Sequence, residues 1–259
     1  MSTHASLLPT RTPRPAFGKL LGAEAKYQWR VPVGLIVGIT IPVLLLVAFG
    51  LIPGLNKPLK QFGGLTVFSV WFPTFIAFAL GWLALMGLPG HLADYRQQGI
   101  LRRMSTTPVP PAWVLAAQVI INLALAAVAL VIIVVVGTAG LGLGSPRQPG
   151  GFVLALVLTV AAMFAIGLWI AAIARSANVA ALIGNLMLLP MLFFAGLFVA
   201  RQNMPPVLRN IGDWTPLGAS AHALQGSMLG TFPSAQLLLV LAGWAVVFGF
   251  LAVRFFRWE

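Results

Sequence analysis

The stretch Ala112–Val136 reads AWVLAAQVIINLALAAVALVIIVVV, and it decides the kind of fold that this sequence can adopt. It holds no charged residue, and its amide side chains are those of Gln118 and Asn122. An α-helix needs about 20 apolar residues to cross about 30 Å of hydrocarbon. A membrane strand would instead alternate apolar and polar residues over about ten positions. Because the stretch is apolar on every face, it predicts a membrane-spanning helix.

Five other stretches share this character, so the sequence predicts six membrane-spanning helices. The six lie at about 31–53, 62–89, 112–136, 151–174, 177–200 and 235–253, and charged residues are absent from their interiors. The chain of 259 residues is 59% hydrophobic and 8% charged. Soluble domains are about 25% charged. We therefore expect an all-α integral membrane protein, and the composition excludes a soluble enzyme, a disordered chain and a fibrous protein.

The positions of the basic residues predict how the chain is oriented. The formal net charge is +12, and eleven of the sixteen Lys and Arg residues fall in the N-terminus, the second-to-third loop, the fourth-to-fifth loop and the C-terminus. Basic residues accumulate on the cytoplasmic side of membrane proteins. Both termini are therefore predicted to be cytoplasmic. Since the charges stand at the ends of apolar runs, we expect membrane lipid as their partner and no nucleic acid.

The N-terminal region divides into two parts. Residues 1–16 are rich in Ser, Thr, Pro and Arg, which predicts a disordered tail. Residues 17–30 can place Phe17, Leu20 and Leu21 on one helical face while basic side chains reach phosphates, which predicts a short interfacial helix. An ordinary basic segment beside the membrane is the alternative. Residues 17–259 are expected to form one membrane domain.

The predicted spans lack the groups that ion-driven transport requires. They contain no Asp or Glu, which counts against proton or sodium coupling and against an acidic selectivity ring. No G-x-x-x-x-G-K-[ST] string is present to cradle nucleotide phosphates. Ser220 and His222 are two residues apart and would point away from each other on a helix, so a serine protease is not favoured. We predict that this chain is not an enzyme, binds no cofactor and takes energy from another chain.

The loop after the second span carries the most polar internal sequence. Asp94–Thr107 reads DYRQQGILRRMSTT, with Ile100, Leu101 and Met104 at helical spacing and three arginines between the ends. A basic amphipathic helix of this kind can dock into a groove of a cytosolic partner. Contact with anionic lipid is the alternative that composition leaves open.

This loop resembles the E-R-E-x-G-T-L…T-P segment of type-2 ATP-binding-cassette exporter permeases of the kind that export drugs and antibiotics. Asp94 stands where that family often has Glu, Arg96 and Gly99 keep their spacing loosely, and Ile100 replaces the Thr. The resemblance continues through residues 185–196, which are similar to the N-x-x-x-x-P…F-x-S-G fifth span. It also includes MPP at 204–206 and TPL at 215–217, and covers about residues 20–255.

The resemblance implies a permease that works with a cytosolic ATPase. Two permease chains, as a homodimer, would pair with two copies of the ATPase, which would bind ATP and Mg. Residues 92–107 would form a coupling helix and the turn at Arg175 a second contact. The residues implied in ATPase coupling are Asp94, Arg96, Gly99, Leu101, Arg102, Arg103, Met104 and Arg175.

Two groups of side chains are candidates for a substrate path. Aromatic residues at spacings of 3, 4, 3 and 4 share one stripe of the second span, and such a stripe can stack aromatic or cationic amphiphiles: Phe68, Trp71, Phe75, Phe78 and Trp82. The fifth span offers an amide and two adaptable or aromatic side chains: Asn185, Met191 and Phe194. Helix packing or lipid contact is the alternative for the stripe, and a structural bond between helices is the alternative for the amide of the fifth span.

The segment 201–233 is long for a connection in a helical bundle and is still rather apolar. It predicts short re-entrant helices at the outer face, where similar helices close the exit in the resembling family; a surface loop is the alternative. We expect the permease of an exporter in the cell membrane that moves an amphipathic drug or antibiotic. Export of lipid or polysaccharide is the first alternative, and a membrane scaffold or membrane enzyme is the second.

Overall fold

A computed structural model describes residues 14–30, 33–52, 54–55, 57, 64, 66–97, 99 and 111–255. Over these residues the chain is helical and contains no β-strand. The helices, in chain order, are α1 (Arg14–Arg30), α2 (Val33–Gly50), α3 (Val67–Gln97), α4 (Pro111–Val135), α5 (Pro149–Ile173), α6 (Ala177–Phe194), α7 (Pro206–Trp214), α8 (Pro216–Leu229) and α9 (Ala235–Phe255).

Five helical segments are long and apolar enough to cross a membrane, which confirms an all-helical membrane architecture. These segments are Val67–Gln97, Trp113–Gly140, Pro149–Ile173, Ala177–Phe194 and Ala235–Phe255. The apolar part of α2, Ile36–Gly50, is shorter than a full crossing. The count of six spans therefore stays a prediction, with α2 as the candidate for the sixth.

Some helix ends differ from those that hydropathy predicted. α3 continues to Gln97, past the predicted end at residue 89, and α6 stops at Phe194, before the predicted end at residue 200. α1 begins at Arg14, inside the predicted tail of residues 1–16, whose first thirteen residues lie outside the described part.

Helix starts follow from local capping chemistry. The side-chain oxygens of Thr66, Ser176 and Thr215 accept hydrogen bonds from backbone N–H groups three residues on, at the starts of α3, α6 and α8. Such bonds satisfy donors that have no partner inside the helix. The last residue of α8 is Leu229, and the helix is capped by Gly230, which has a φ of 97°. This left-handed conformation suits glycine because it has no Cβ.

α3 lies at the centre of the bundle. In the most apolar stretch of α3, 83% of the residues are buried, whereas 22% are buried in the corresponding stretch of α9. It is interrupted by a π-helical turn at Leu83–Gly87, and α5 and α6 approach that turn closely. A Cβ on Gly167 would lie 2.1 Å from the Ala84 carbonyl oxygen, and one on Gly184 would lie 2.6 Å from that of Leu85. Glycine at these two positions permits the close helix contact.

α7 and α8 form a helical hairpin that enters the bundle. The indole N–H of Trp244, near the middle of α9, donates to the carbonyl of Trp214 at 2.9 Å. The backbone carbonyl of Ser227, near the C-terminal end of α8, accepts a hydrogen bond from the backbone N–H of Gln148 at the start of α5. The hairpin turn therefore lies at mid-bundle depth, and α8 is buried along most of its length. Segment 201–233 thus contains short helices, as predicted.

Candidate functional site

The last turn of α3 is joined to α1 and α4 through one buried carboxylate. The hydroxyl of Tyr95 donates to Oε2 of Glu24, and Nε2 of Gln118 donates to the same oxygen at 2.7 Å. Burial raises the pKa of Glu24, while the hydrogen bonds from Tyr95 and Gln118 act in the opposite direction. This contact fixes the N-terminal helix against the start of α4 and the end of α3.

Arg96 connects the same end of α3 to α5. Its Nη1 donates to the carbonyl of Ala171 at 3.0 Å and to that of Ala174 at 2.8 Å. The last carbonyls of a helix have no partners within it, and they carry the negative end of the helix dipole. The guanidinium therefore caps α5 directly before the turn at Arg175 and Ser176 that leads into α6.

The structure thus brings together two segments that sequence reasoning linked only through an ATPase. Arg96 lies in the last turn of α3, directly before the second-to-third loop, and Ala174 caps α5 at the start of the fourth-to-fifth turn. Gly99 donates its backbone N–H to the Arg96 carbonyl with a φ of 66°, a left-handed conformation that turns the chain after α3. Arg175 is exposed beside this contact. Leu101, Arg102, Arg103 and Met104 lie outside the described residues.

Asp94 does not take part in this contact. Its side chain lines a cavity of about 280 Å³ with Trp82 and His91 on α3 and Val37 on α2. Two residues assigned to different roles by the sequence, Asp94 to coupling and Trp82 to the substrate path, therefore share one cavity.

The aromatic stripe on α3 is mostly buried. Phe68, Phe75 and Phe78 lie in the main hydrophobic core, whereas Trp71 and Trp82 are half-buried. Phe49 on α2 contacts Trp71 edge-on with ring centroids 5.2 Å apart. Helix packing accounts for the three buried rings, and Trp82 is the member that lines a cavity.

The three candidates on α6 lie in different surroundings. Asn185 is exposed and donates from Nδ2 to the Ala181 carbonyl of its own helix at 3.0 Å. Met191 is buried in the core, and Phe194 packs edge-on against Phe193 with ring centroids 5.6 Å apart. α6 also exposes Leu182, Leu186 and Leu189. The structure does not gather these three candidates into one described cavity.

Sequence reasoning missed a polar connection between the hairpin and α3. Nε2 of Gln225 on α8 donates to Oγ1 of Thr74 at 2.9 Å, and this hydroxyl lies 3.5 Å from the Ala195 carbonyl that follows α6. The contact joins three segments at the depth where the hairpin enters. An amide in an apolar environment needs a partner, but nothing in the spacing identified Thr74 as that partner.

Sequence reasoning also missed an ionic cluster in the hairpin. Nη2 of Arg201 lies 2.7 Å from Oδ2 of Asp213, and Nδ1 of His222 lies 2.9 Å from Oδ1. Burial of Asp213 acts to raise its pKa. The hydrogen bonds from His222 and Arg201 stabilise the charged carboxylate by more, so the pKa of Asp213 is lowered. The cluster fixes the end of α7 and the middle of α8 to the chain that follows α6.

Comparison with known proteins gives one family match. The profile described as ABC-2 type transporter matches residues 15–229, from the start of α1 to the end of α8. No curated protein matches the chain. Because the profile covers most of the sequence, and because the described residues form the membrane bundle that such a transporter requires, the chain belongs to the ABC-2 type transporter family.

Proposed function

We propose that this chain is the permease subunit of an ATP-driven exporter that moves an amphipathic small molecule, such as a drug or antibiotic, out of the cytoplasm or inner leaflet. The family makes it a membrane component of a transporter that works with a cytosolic ATPase. Two permease chains would pair with two ATPase subunits, which would hold ATP and Mg. α2 would be the first of six spans in the cell membrane, with both termini in the cytoplasm.

The observation that carries the proposal is the pair of hydrogen bonds from Arg96 to the end of α5. A partner that pushes on the segment after α3 would also move the turn between α5 and α6, because Arg96 ties them together. The glycine contacts of Gly167 and Gly184 would pass this displacement to the π-helical turn of α3. Motion at one end of the bundle can therefore reach the hairpin through Thr74 and Gln225.

The hairpin is the proposed outer gate. It enters from the end of the bundle opposite to Arg96, and its buried helix α8 occupies the space among α3, α5 and α9. Movement of α8 would open or close that space. Such a movement would have to break the hydrogen bond from Gln225 to Thr74 and that from Trp244 to Trp214.

A groove along α9 favours lipid as a second candidate cargo. It has a volume of about 660 Å³ and is lined almost entirely by apolar and aromatic side chains, including Trp214, Trp244 and Phe248. Trp244 stacks on Phe248 with centroids 5.0 Å apart. An acyl chain fits such a surface better than a glycan does, which favours lipid over polysaccharide as the alternative.

The test is reconstitution with the ATPase. The permease should copurify with an ATPase in equal amounts, and the complex in liposomes should accumulate an amphiphile only when ATP is supplied. Stimulation of ATP hydrolysis by amphiphiles more than by lipids would support drug export, and the reverse order would support lipid export. A permease that binds no ATPase would favour the scaffold alternative and contradict the proposal.

A further inference from the structure

The cavity beside the last turns of α3 has an unusual composition for this protein. It holds about 280 Å³ between α2 and α3, and its lining includes Val37, Trp82, Gly87, Gly90, His91 and Asp94. The whole sequence has four acidic residues against sixteen basic ones. One of the four, Asp94, lines this cavity together with Trp82.

The chemistry of this lining suits a cation. A carboxylate attracts positive charge directly, and the face of an indole attracts it through the ring quadrupole. Arg96, two residues further on, directs Nη1 to the carbonyls of Ala171 and Ala174 and is engaged at α5. Among the described residues Asp94 forms no ion pair. Within the described part of the chain this carboxylate at the edge of a membrane span has no Lys or Arg salt bridge, and such a group attracts an external cation.

The indole of Trp82 is held in position by its neighbours. A Cβ on Gly38 of α2 would lie 3.0 Å from Cδ1 of Trp82, so glycine lets this ring lie against the α2 backbone. Phe78 contacts the ring edge-on at a centroid distance of 6.0 Å. A fixed aromatic wall loses little conformational entropy when it binds a ligand.

The π-helical turn explains how the wall and the carboxylate come to share one cavity. It spans Leu83–Gly87, between Trp82 and the polar residues His91 and Asp94. An inserted residue turns the following part of a helix by about 100° relative to an uninterrupted helix. Gly90 adds space, because a Cβ there would meet no atom within 4 Å.

We propose that this cavity is a binding site for the cationic head of an organic amphiphile, with Asp94 as counter-ion and Trp82 as the aromatic wall. The inference rests on the proposed function and specifies its substrate class. The apolar tail would extend past Val37 toward lipid, since that side chain is exposed on α2.

The experiment measures binding to the full-length permease–ATPase complex in lipid nanodiscs by saturation-transfer difference NMR. The probes are benzyltrimethylammonium and benzylsulfonate, which share a benzyl group and carry opposite charges. Only the cation should bind above the level of empty nanodiscs. Asp94→Asn should weaken its binding by about tenfold, whereas Asp94→Glu should retain it within about threefold.

Steric variants separate loss of the site from loss of the fold. Gly90→Leu should fill the cavity and abolish binding, and Gly90→Ala should leave it largely intact. Gly249→Leu is the matched control, because Gly249 on α9 also has open space around it and lines neither this cavity nor the groove on α9. Equal binding of both probes, or unchanged cation binding in Asp94→Asn and Gly90→Leu, would overturn the site.

The outcomes also distinguish this inference from the proposed function. A complex that exports a neutral amphiphile with ATP but does not bind benzyltrimethylammonium would refute the cation site and leave the exporter. A permease that binds the cation through Asp94 but never couples to ATP hydrolysis would retain the site and refute the exporter.

Discussion

Arg96 on α3 and Ala174 at the end of α5 are joined by a hydrogen bond of 2.8 Å from the guanidinium Nη1 to the backbone carbonyl. The two residues are far apart in sequence: Arg96 lies within residues 92–107 and Ala174 directly precedes the turn at Arg175, the two segments predicted to contact an ATPase. The bond therefore ties those two segments to each other.

Replacing Arg96 with Ala should uncouple the transporter. The variant loses both bonds to α5, and since hydrogen bonds from charged donors contribute about 1.5–3 kcal/mol each, ATP-dependent transport should fall by about tenfold or more. Transport per ATP hydrolysed in liposomes is the measurement. Arg254→Ala, an exposed site near the end of α9, is the control. Normal coupling in Arg96→Ala would show that α5 is not driven through this contact.

Docking of α1 should weaken as the pH rises. Burial raises the pKa of Glu24 above its usual value of 4.5, so the folded state binds its proton more tightly than the unfolded state does. The bound proton therefore contributes its full stabilisation below pH 4.5, and this contribution is lost as the pH rises through the raised pKa. Glu24→Gln keeps an acceptor for Tyr95 and Gln118 and should remove the pH dependence. Hydrogen exchange of the α1 amides between pH 5 and pH 8 tests this, and an identical pH response in Glu24→Gln would contradict it.

The ionic cluster in the hairpin should show the opposite pH response. The pKa of Asp213 is lowered, so its contribution is present above the usual value of 3.8 and is lost as the pH falls through the lowered pKa. At neutral pH, Asp213→Asn should lower the free energy of unfolding by about 1–3 kcal/mol, because the hydrogen bond from Arg201 loses its charged acceptor. Thermal unfolding in detergent measures the loss. Asn203→Ala, at an exposed position nearby, should unfold like the parent protein.

Gly167 and Gly243 offer a matched test of helix contact. A Cβ on Gly167 meets the Ala84 carbonyl at 2.1 Å, whereas one on Gly243 meets nothing within 4 Å. Gly167→Ala should push α5 away from the π-helical turn and lower the free energy of unfolding by about 1–3 kcal/mol. Gly243→Ala should be neutral or slightly stabilising, because alanine favours the helix by up to about 1 kcal/mol. Similar melting temperatures for both variants would show that α3 and α5 can separate without cost.

The membrane architecture was predictable because long apolar runs allow few other structures. The end of α3 was not, since residues after 89 are polar and look like a loop. They remain helical because their partners lie elsewhere in the chain: Tyr95 finds Glu24, and Arg96 finds the carbonyls of α5. Hydropathy does not report such distant polar pairs.

The candidate site was predicted only in part for the same reason. The spacing predicted an aromatic stripe along α3, but burial of Phe75 and Phe78 depends on which helices surround α3. Two of the residues that the sequence predicted for ATPase coupling lie in different surroundings. Arg96 faces α5 and Asp94 faces α2, a separation that no linear motif distinguishes.

The five-residue turn at Leu83–Gly87 also constrains how the chain length of α3 can change. Deleting one residue there would let the helix wind regularly, and everything beyond would rotate by about 100°. Arg96 would then lose its hydrogen bonds to the carbonyls of α5, and Asp94 would no longer line the cavity that contains Trp82. A single-residue deletion in this turn should therefore disable the transporter more severely than many substitutions in its apolar faces.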